Sequence, residues 1–136
     1  MTIMKVKKPD GTIVEIPCGF VFVGESDSGE YGNKIVAFQD GATITLANET
    51  EYRAEGAITS LALAFPGELQ TNFISSLEFD TSESGNVDIT FGEPRAYITG
   101  DACENGLFTP ENGMHYSILF WYDGGRVQGV SRGVVL

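Results

Sequence analysis

Basic residues are scarce in this 136-residue chain: eight lysines and arginines stand against nineteen aspartates and glutamates, a formal net charge of −11. So acidic a chain repels the phosphate backbone instead of neutralising it, which argues against nucleic-acid binding. Histidine occurs once, at His115, and cysteine twice, at Cys18 and Cys103. The two cysteines are far apart and match no metal-ligand spacing, so two buried thiols are expected, with a disulfide between them as the alternative. No apolar run approaches the ~18 residues of a membrane span, so membrane insertion is not expected. Met1 to Lys8 is charged and alternating and has no apolar h-region, which reads as something other than a signal peptide and gives synthesis in the cytoplasm as the expectation. No long segment carries a 3.6-residue apolar period, so a helical protein is not expected.

What is present suits one globular domain. Hydrophobic residues make up 42% and aromatics 11%, well away from the composition of disordered chains. Lys5, Lys7 and Lys8 lie together at the start, a basic ribbon before an acidic body. Lysines on a strand edge, where they discourage stray pairing, are the simple reading. Docking onto an acidic partner surface is the sharper one.

Seventeen glycines, five prolines and many Asn, Asp and Ser residues punctuate the chain in the rhythm of short strands and turns. Ile3 to Val6 and Thr12 to Ile16 flank Pro9-Asp10-Gly11 and predict an N-terminal β-hairpin within residues 1–17. Cys18 to Val23 reads as a buried strand and Glu25 to Asn33 as an acidic loop. A body follows over 34–136. There Lys34 to Phe38 and Ala42 to Leu46 predict a second hairpin, and Glu51 to Arg53 and Ala57 to Phe65 predict two strands separated at Gly56. Phe73, Ser75, Leu77 and Phe79 form one face of the next strand, and Val87, Ile89 and Phe91 one face of another. Met114 to Tyr122 is the strongest strand, with Met114, Tyr116, Ile118, Phe120 and Tyr122 on one face and His115, Ser117, Leu119 and Trp121 on the other. Asp123-Gly124-Gly125 turns it into a C-terminal hairpin with Arg126 to Val135. About ten strands and no helix predict an all-β, antiparallel β-sandwich or barrel-like domain.

Candidate chemistry is thin. Gly129-Val130-Ser131-Arg132-Gly133 fits the G-x-S-x-G of a nucleophile elbow, but that elbow needs a helix, an acid and a histidine after it where only Val134, Val135 and Leu136 stand here. A catalytic serine is not expected, and the small residues suit a final strand better. His115 has no cysteine or carboxylate at ligand spacing, so a base role would need a carboxylate brought from elsewhere. The acids Glu25, Asp27 and Glu30, and Asp101 with Glu104 and Asn105, follow no Ca²⁺ loop pattern and read as solvated. No catalytic residue, metal site or cofactor is therefore expected. Tyr97, Phe108, Tyr116, Phe120, Trp121 and Tyr122 crowd the last third of the chain. Exposed rings suit stacking on sugars or anchoring a protein. Tyr116, Phe120 and Tyr122 share an apolar face and read as core, whereas Trp121 is the more open case.

Several segments form an ordered set. They are Thr50-Glu51-Tyr52-Arg53, Gly56-Ala57-Ile58-Thr59-Ser60-Leu61, Phe73 to Phe79, Gly100-Asp101, Gly106 to Pro110, Tyr116 to Gly124 and Arg132-Gly133-Val134. Together they make the stretch from Glu49 to Val134 resemble a β-domain that recurs in minor structural proteins and fibres of phages and prophages of Gram-positive bacteria. Lys7 to Pro17 likewise resembles hairpins near the ends of such fibre proteins. The family pattern carries a tryptophan shortly before the Gly-Asp pair, where this chain has Tyr97. The resemblance implies a non-enzymatic virion component such as a head-fibre, tail-fibre or adaptor protein, commonly a homotrimer, that contacts other virion proteins and serves assembly or host attachment.

The expected contact residues are Lys5, Lys7 and Lys8 for docking or oligomer formation, and Tyr97, Trp121 and Tyr122 for a partner or a host surface glycan. A carbohydrate-binding module is the alternative expectation, and a small hydrolase the third.

Overall fold

The computed structural model describes residues 3–7, 13–17 and 34–136. The chain divides into two compact units, Met1–Lys34 and Ile35–Leu136. In the first, β1 (Ile3–Lys7) and β2 (Ile13–Pro17) pair antiparallel, with Lys5 opposite Glu15 and Lys7 opposite Ile13, as the hairpin reading expects. The expected strand at Cys18 to Val23 and the acidic loop after it lie outside the described residues.

The second unit is built from β3 (Lys34–Phe38), β4 (Thr43–Thr45), β5 (Thr50–Ile58), β6 (Ser60–Ala64), β7 (Ile74–Thr81) and β8 (Asp88–Phe91), followed by β9 (Tyr97–Gly100), β10 (Cys103–Glu104), β11 (Leu107–Phe108), β12 (Met114–Tyr122) and β13 (Val127–Val135). No helix occurs among the described residues. A six-stranded sheet has the order β3-β5-β7-β12-β13-β9, and a three-stranded sheet the order β4-β6-β8. Within them β5 and β7, β4 and β6, β6 and β8, and β13 and β9 run parallel, while β12 is antiparallel to both β7 and β13. The all-β expectation therefore holds, but the sheets are mixed and the purely antiparallel sandwich is corrected.

The cause of the parallel pairing is a repeated change of sheet. The chain passes from β3 to β4, from β5 to β6 and from β7 to β8, each time leaving the large sheet for the small one. The corners stack on one another: Gly41 N donates to Ser60 O at 3.0 Å, Ser82 N to Ile58 O at 3.1 Å and Asp88 N to Thr59 O at 2.8 Å. Successive passes thus run in the same direction, as turns of a coil must. The Asp40 carboxylate pins two corners by accepting from Thr59 N at 2.7 Å, Ser60 N at 3.0 Å and Thr59 Oγ1 at 2.9 Å. Those bonds, the Thr59 N–H first, hold its pKa below the ordinary carboxylate value.

Three sequence expectations fall to this arrangement. Lys34 to Phe38 and Ala42 to Leu46 form no hairpin, because β3 and β4 belong to different sheets. Gly56 does not separate two strands: it lies in a bulge inside β5, where the register to β7 shifts between Arg53 and Ala57, and its φ of 111° is one that glycine adopts freely. The segment Ala57 to Phe65 is divided at Thr59, where the chain turns between sheets.

The core lies beneath the inward faces. Cross-strand rows run Tyr52–Leu77–Ile118–Ser131 and Thr50–Ser75–Phe120–Gly129–Ile98, every residue buried. Phe120 meets Phe65 at 5.4 Å and Phe91 of the smaller sheet at 6.4 Å between ring centroids. Tyr116 meets Phe108 at 5.0 Å and Phe79 at 5.7 Å, and its hydroxyl accepts from Glu111 N at 2.9 Å. Each such ring contributes roughly 1.5–3 kcal/mol of burial.

The inward face of β13 explains the G-x-S-x-G pattern. Gly129, Ser131 and Gly133 lie opposite Phe120, Ile118 and Tyr116. A Cβ on Gly133 would stand 2.8 Å from Tyr116 Cε1, and one on Gly129 3.2 Å from Phe120 Cδ1. The small residues leave room for the large rings of β12.

Candidate functional site

On β12, the large sheet's outward face carries two of the residues weighed for function, His115 and Trp121. Alternation turns His115, Ser117, Leu119 and Trp121 outward from β12, and all four are half-buried. Register supplies their neighbours: Trp121 lies between Ile74 and Gln128, Leu119 between Ser76 and Val130, Ser117 between Glu78 and Arg132, and His115 between Asp80 and Val134. One half of the face is therefore apolar and the other charged. Val130, in the apolar half, is 40% exposed, which leaves that half open to a partner.

At the charged end, His115 Nδ1 lies 2.6 Å from Asp80 Oδ1 and Nε2 lies 3.2 Å from Glu78 Oε1. Arg53 joins them through Nε, 3.5 Å from Glu78 Oε2, and through Nη2, 2.8 Å from Glu51 Oε2. His115, Asp80, Glu78 and Arg53, with Ala54 and Phe79, line a depression of about 270 Å³. The hydrogen bond to Asp80 raises the histidine pKa most; burial opposes it and Glu78 adds to it. The sequence offered His115 no carboxylate, and β7 brings two. The missing signal is register: Glu78 and Asp80 share the outward parity of β7, and β12 sets them beside His115. Each ring nitrogen faces a carboxylate, which favours the protonated ring and reads as an ion-pair network; the same contacts supply the orienting carboxylate that a base role would require.

The expected aromatic residues part company. Tyr97 and Trp121 share the outward face with Gln128 between them, two strands or about 10 Å apart. Tyr122 turns to the other face, packs against the core and donates its hydroxyl to Gly124 O at 3.0 Å. The Tyr97 ring is already partnered: the Arg126 guanidinium lies over it at 4.1 Å, and a Cβ on Gly106 would come within 2.2 Å of Cδ2. Gly106, at φ 79°, is thus required both by its backbone conformation and by this close approach. Lys5 and Lys7 lie on β1, in the first unit. Their side chains, and Lys8 altogether, lie outside the described residues.

Two further groups complete the inventory. Cys103 is a half-buried free thiol whose Sγ donates to Asp101 O at 3.3 Å, with its pKa raised by burial and then by the Asp101 charge. Among the described residues, no cluster of three or more His, Cys, Asp or Glu side chains is arranged to hold a metal ion.

No protein-family model matches the chain, and no curated protein or solved structure is significantly similar to it.

Proposed function

We propose that this chain is a non-enzymatic structural or accessory component of a bacteriophage particle, a fibre or adaptor module that works as a homo-oligomer, a trimer by analogy with fibre components, and joins other virion proteins. The ordered segments from Thr50 to Val134 support the class. The observation that carries the reading is the outward strip of Trp121, Leu119, Ile74 and Val130, four cross-strand neighbours on adjacent strands. Apolar residues gathered on an outer sheet face mark a surface made to be covered by protein. The basic hairpin with Lys5, Lys7 and Lys8 is then the arm that docks on a more acidic virion partner. Antibody labelling of purified particles in electron micrographs tests the assignment, with discrete labelled positions expected. Particles that lack the chain would overturn it.

Glycan binding is the second reading, favoured by the placement of Trp121 and Tyr97 on one face. Against it stands the Arg126 cap on Tyr97, and the amide flanking Trp121, that of Gln128, is engaged by Asp123 while Ile74 lies on the other side. Array binding that disappears in Trp121→Ala, with the fold kept, would shift the assignment to that reading.

A further inference from the structure

Residues 35–136 carry four arginines, no lysine and fourteen carboxylates, a net charge of −10 with His115 neutral. Two bodies so charged repel at most orientations. The large sheet's outward face is different. Its strand-borne charges are Glu51, Arg53, Glu55, Glu78 and Asp80 on β5 and β7, His115 on β12 and Arg132 on β13, a net charge of only −1 when the histidine is protonated. Those charges are also sorted. The β5–β7 side is net acidic, Arg132 stands on the β13 side, and the strip of Trp121 and Leu119 runs between them along β12. The carboxylates at the two ends of β13 are held by backbone N–H groups: Asp123 accepts from Gly125 and Arg126, and Asp101 from Gly133.

We infer that this face is the seam between copies of the chain. Trp121 and Leu119 of each copy meet at an axis running along β12, and Arg132 of one copy faces the Glu51–Glu78 side of the next. Such sorting is what a closed ring of identical subunits requires, because the basic side of every face then meets an acidic side. A foreign partner would require no such self-complementarity. The inference rests on the homo-oligomeric reading above and adds where the copies touch.

The test is light scattering of the full chain over a concentration series, at low and high salt, for the wild type, Trp121→Glu and Arg132→Glu. The wild type should be oligomeric, and Trp121→Glu should raise the dissociation constant at least about thirtyfold, the effect of a central aromatic anchor. Arg132→Glu should weaken association by a smaller factor that shrinks as salt rises. Arg132 is exposed, so this variant stays informative if Trp121→Glu fails to fold by circular dichroism. A wild type that is monomeric throughout, or an oligomer unchanged by both variants, overturns the seam. A monomeric wild type would also count against the homo-oligomeric reading above, whereas an oligomer unchanged by both variants would leave that reading standing and remove the seam alone.

Discussion

Ser131 is 4% exposed, and its Oγ has no hydrogen-bond partner among the described residues. A buried hydroxyl that has given up water without finding a partner costs about 1–3 kcal/mol on mutational scales. Ser131→Ala removes that cost. It also removes the dispersion contacts of one atom, a few tenths of a kcal/mol, and changes strand propensity by a similar amount. The net expectation is a stabilisation of about 1 kcal/mol, or roughly 3–5 °C in Tm for a domain of this size. Urea unfolding followed by circular dichroism measures it directly, with the midpoint rising and the m-value unchanged. A loss of 1 kcal/mol or more would refute the reasoning, since it would mean that the hydroxyl is engaged. The same variant bears on the G-x-S-x-G pattern: a packing serine gives this gain, whereas a nucleophile would announce itself by lost turnover.

Gly133→Ala should move stability the other way, by about 1–3 kcal/mol, because its Cβ would press on a Tyr116 ring fixed by Glu111 at its hydroxyl end; the urea midpoint reports it, and Gly129→Ala, with 3.2 Å contacts, should cost less. The raised pKa of His115 gives a definite pH dependence. The histidine binds its proton more tightly folded than unfolded, so its stabilisation is fully present below the unfolded value near 6.5 and is lost as pH rises through the higher folded value. With the ring 37% exposed, the effect is modest. Proton NMR of this sole histidine should give a midpoint above 6.5, and His115→Gln should flatten that part of the stability profile.

Which residues face inward was readable from alternation alone. Phe73, Ser75, Leu77 and Phe79 are all buried, and so are Tyr116, Ile118 and Phe120. Alternation fixes a face and says nothing about a partner, however, because parallel and antiparallel strands carry the same period of two. The four residues 39–42 suit a hairpin loop as well as they suit a corner, and so the coil was hidden. One trace of it was present. The buried residues Ile58, Leu61, Leu63 and Phe65 slip phase by one position at Thr59, and an odd step of that kind is what a strand shows when it turns from one sheet into another.

The candidate face was half legible for the same reason. Trp121 stood out because its side of the strand also carried His115 and Ser117, and the structure sets it among Ile74, Leu119 and Val130. The carboxylates beside His115 could not be assigned from spacing, since Asp80 and Glu78 lie 35 and 37 residues away. What brings them there is the antiparallel pairing of β12 with β7, a tertiary fact. That pairing also decides the chemistry of the histidine. Slipping β7 by one residue would turn Ser75, Leu77 and Phe79 to solvent, so the burial of those three side chains fixes which acids His115 meets. Core packing thus sets the charge of the outward face, and the core variants predicted above should leave the His115 midpoint where it is, provided the register survives.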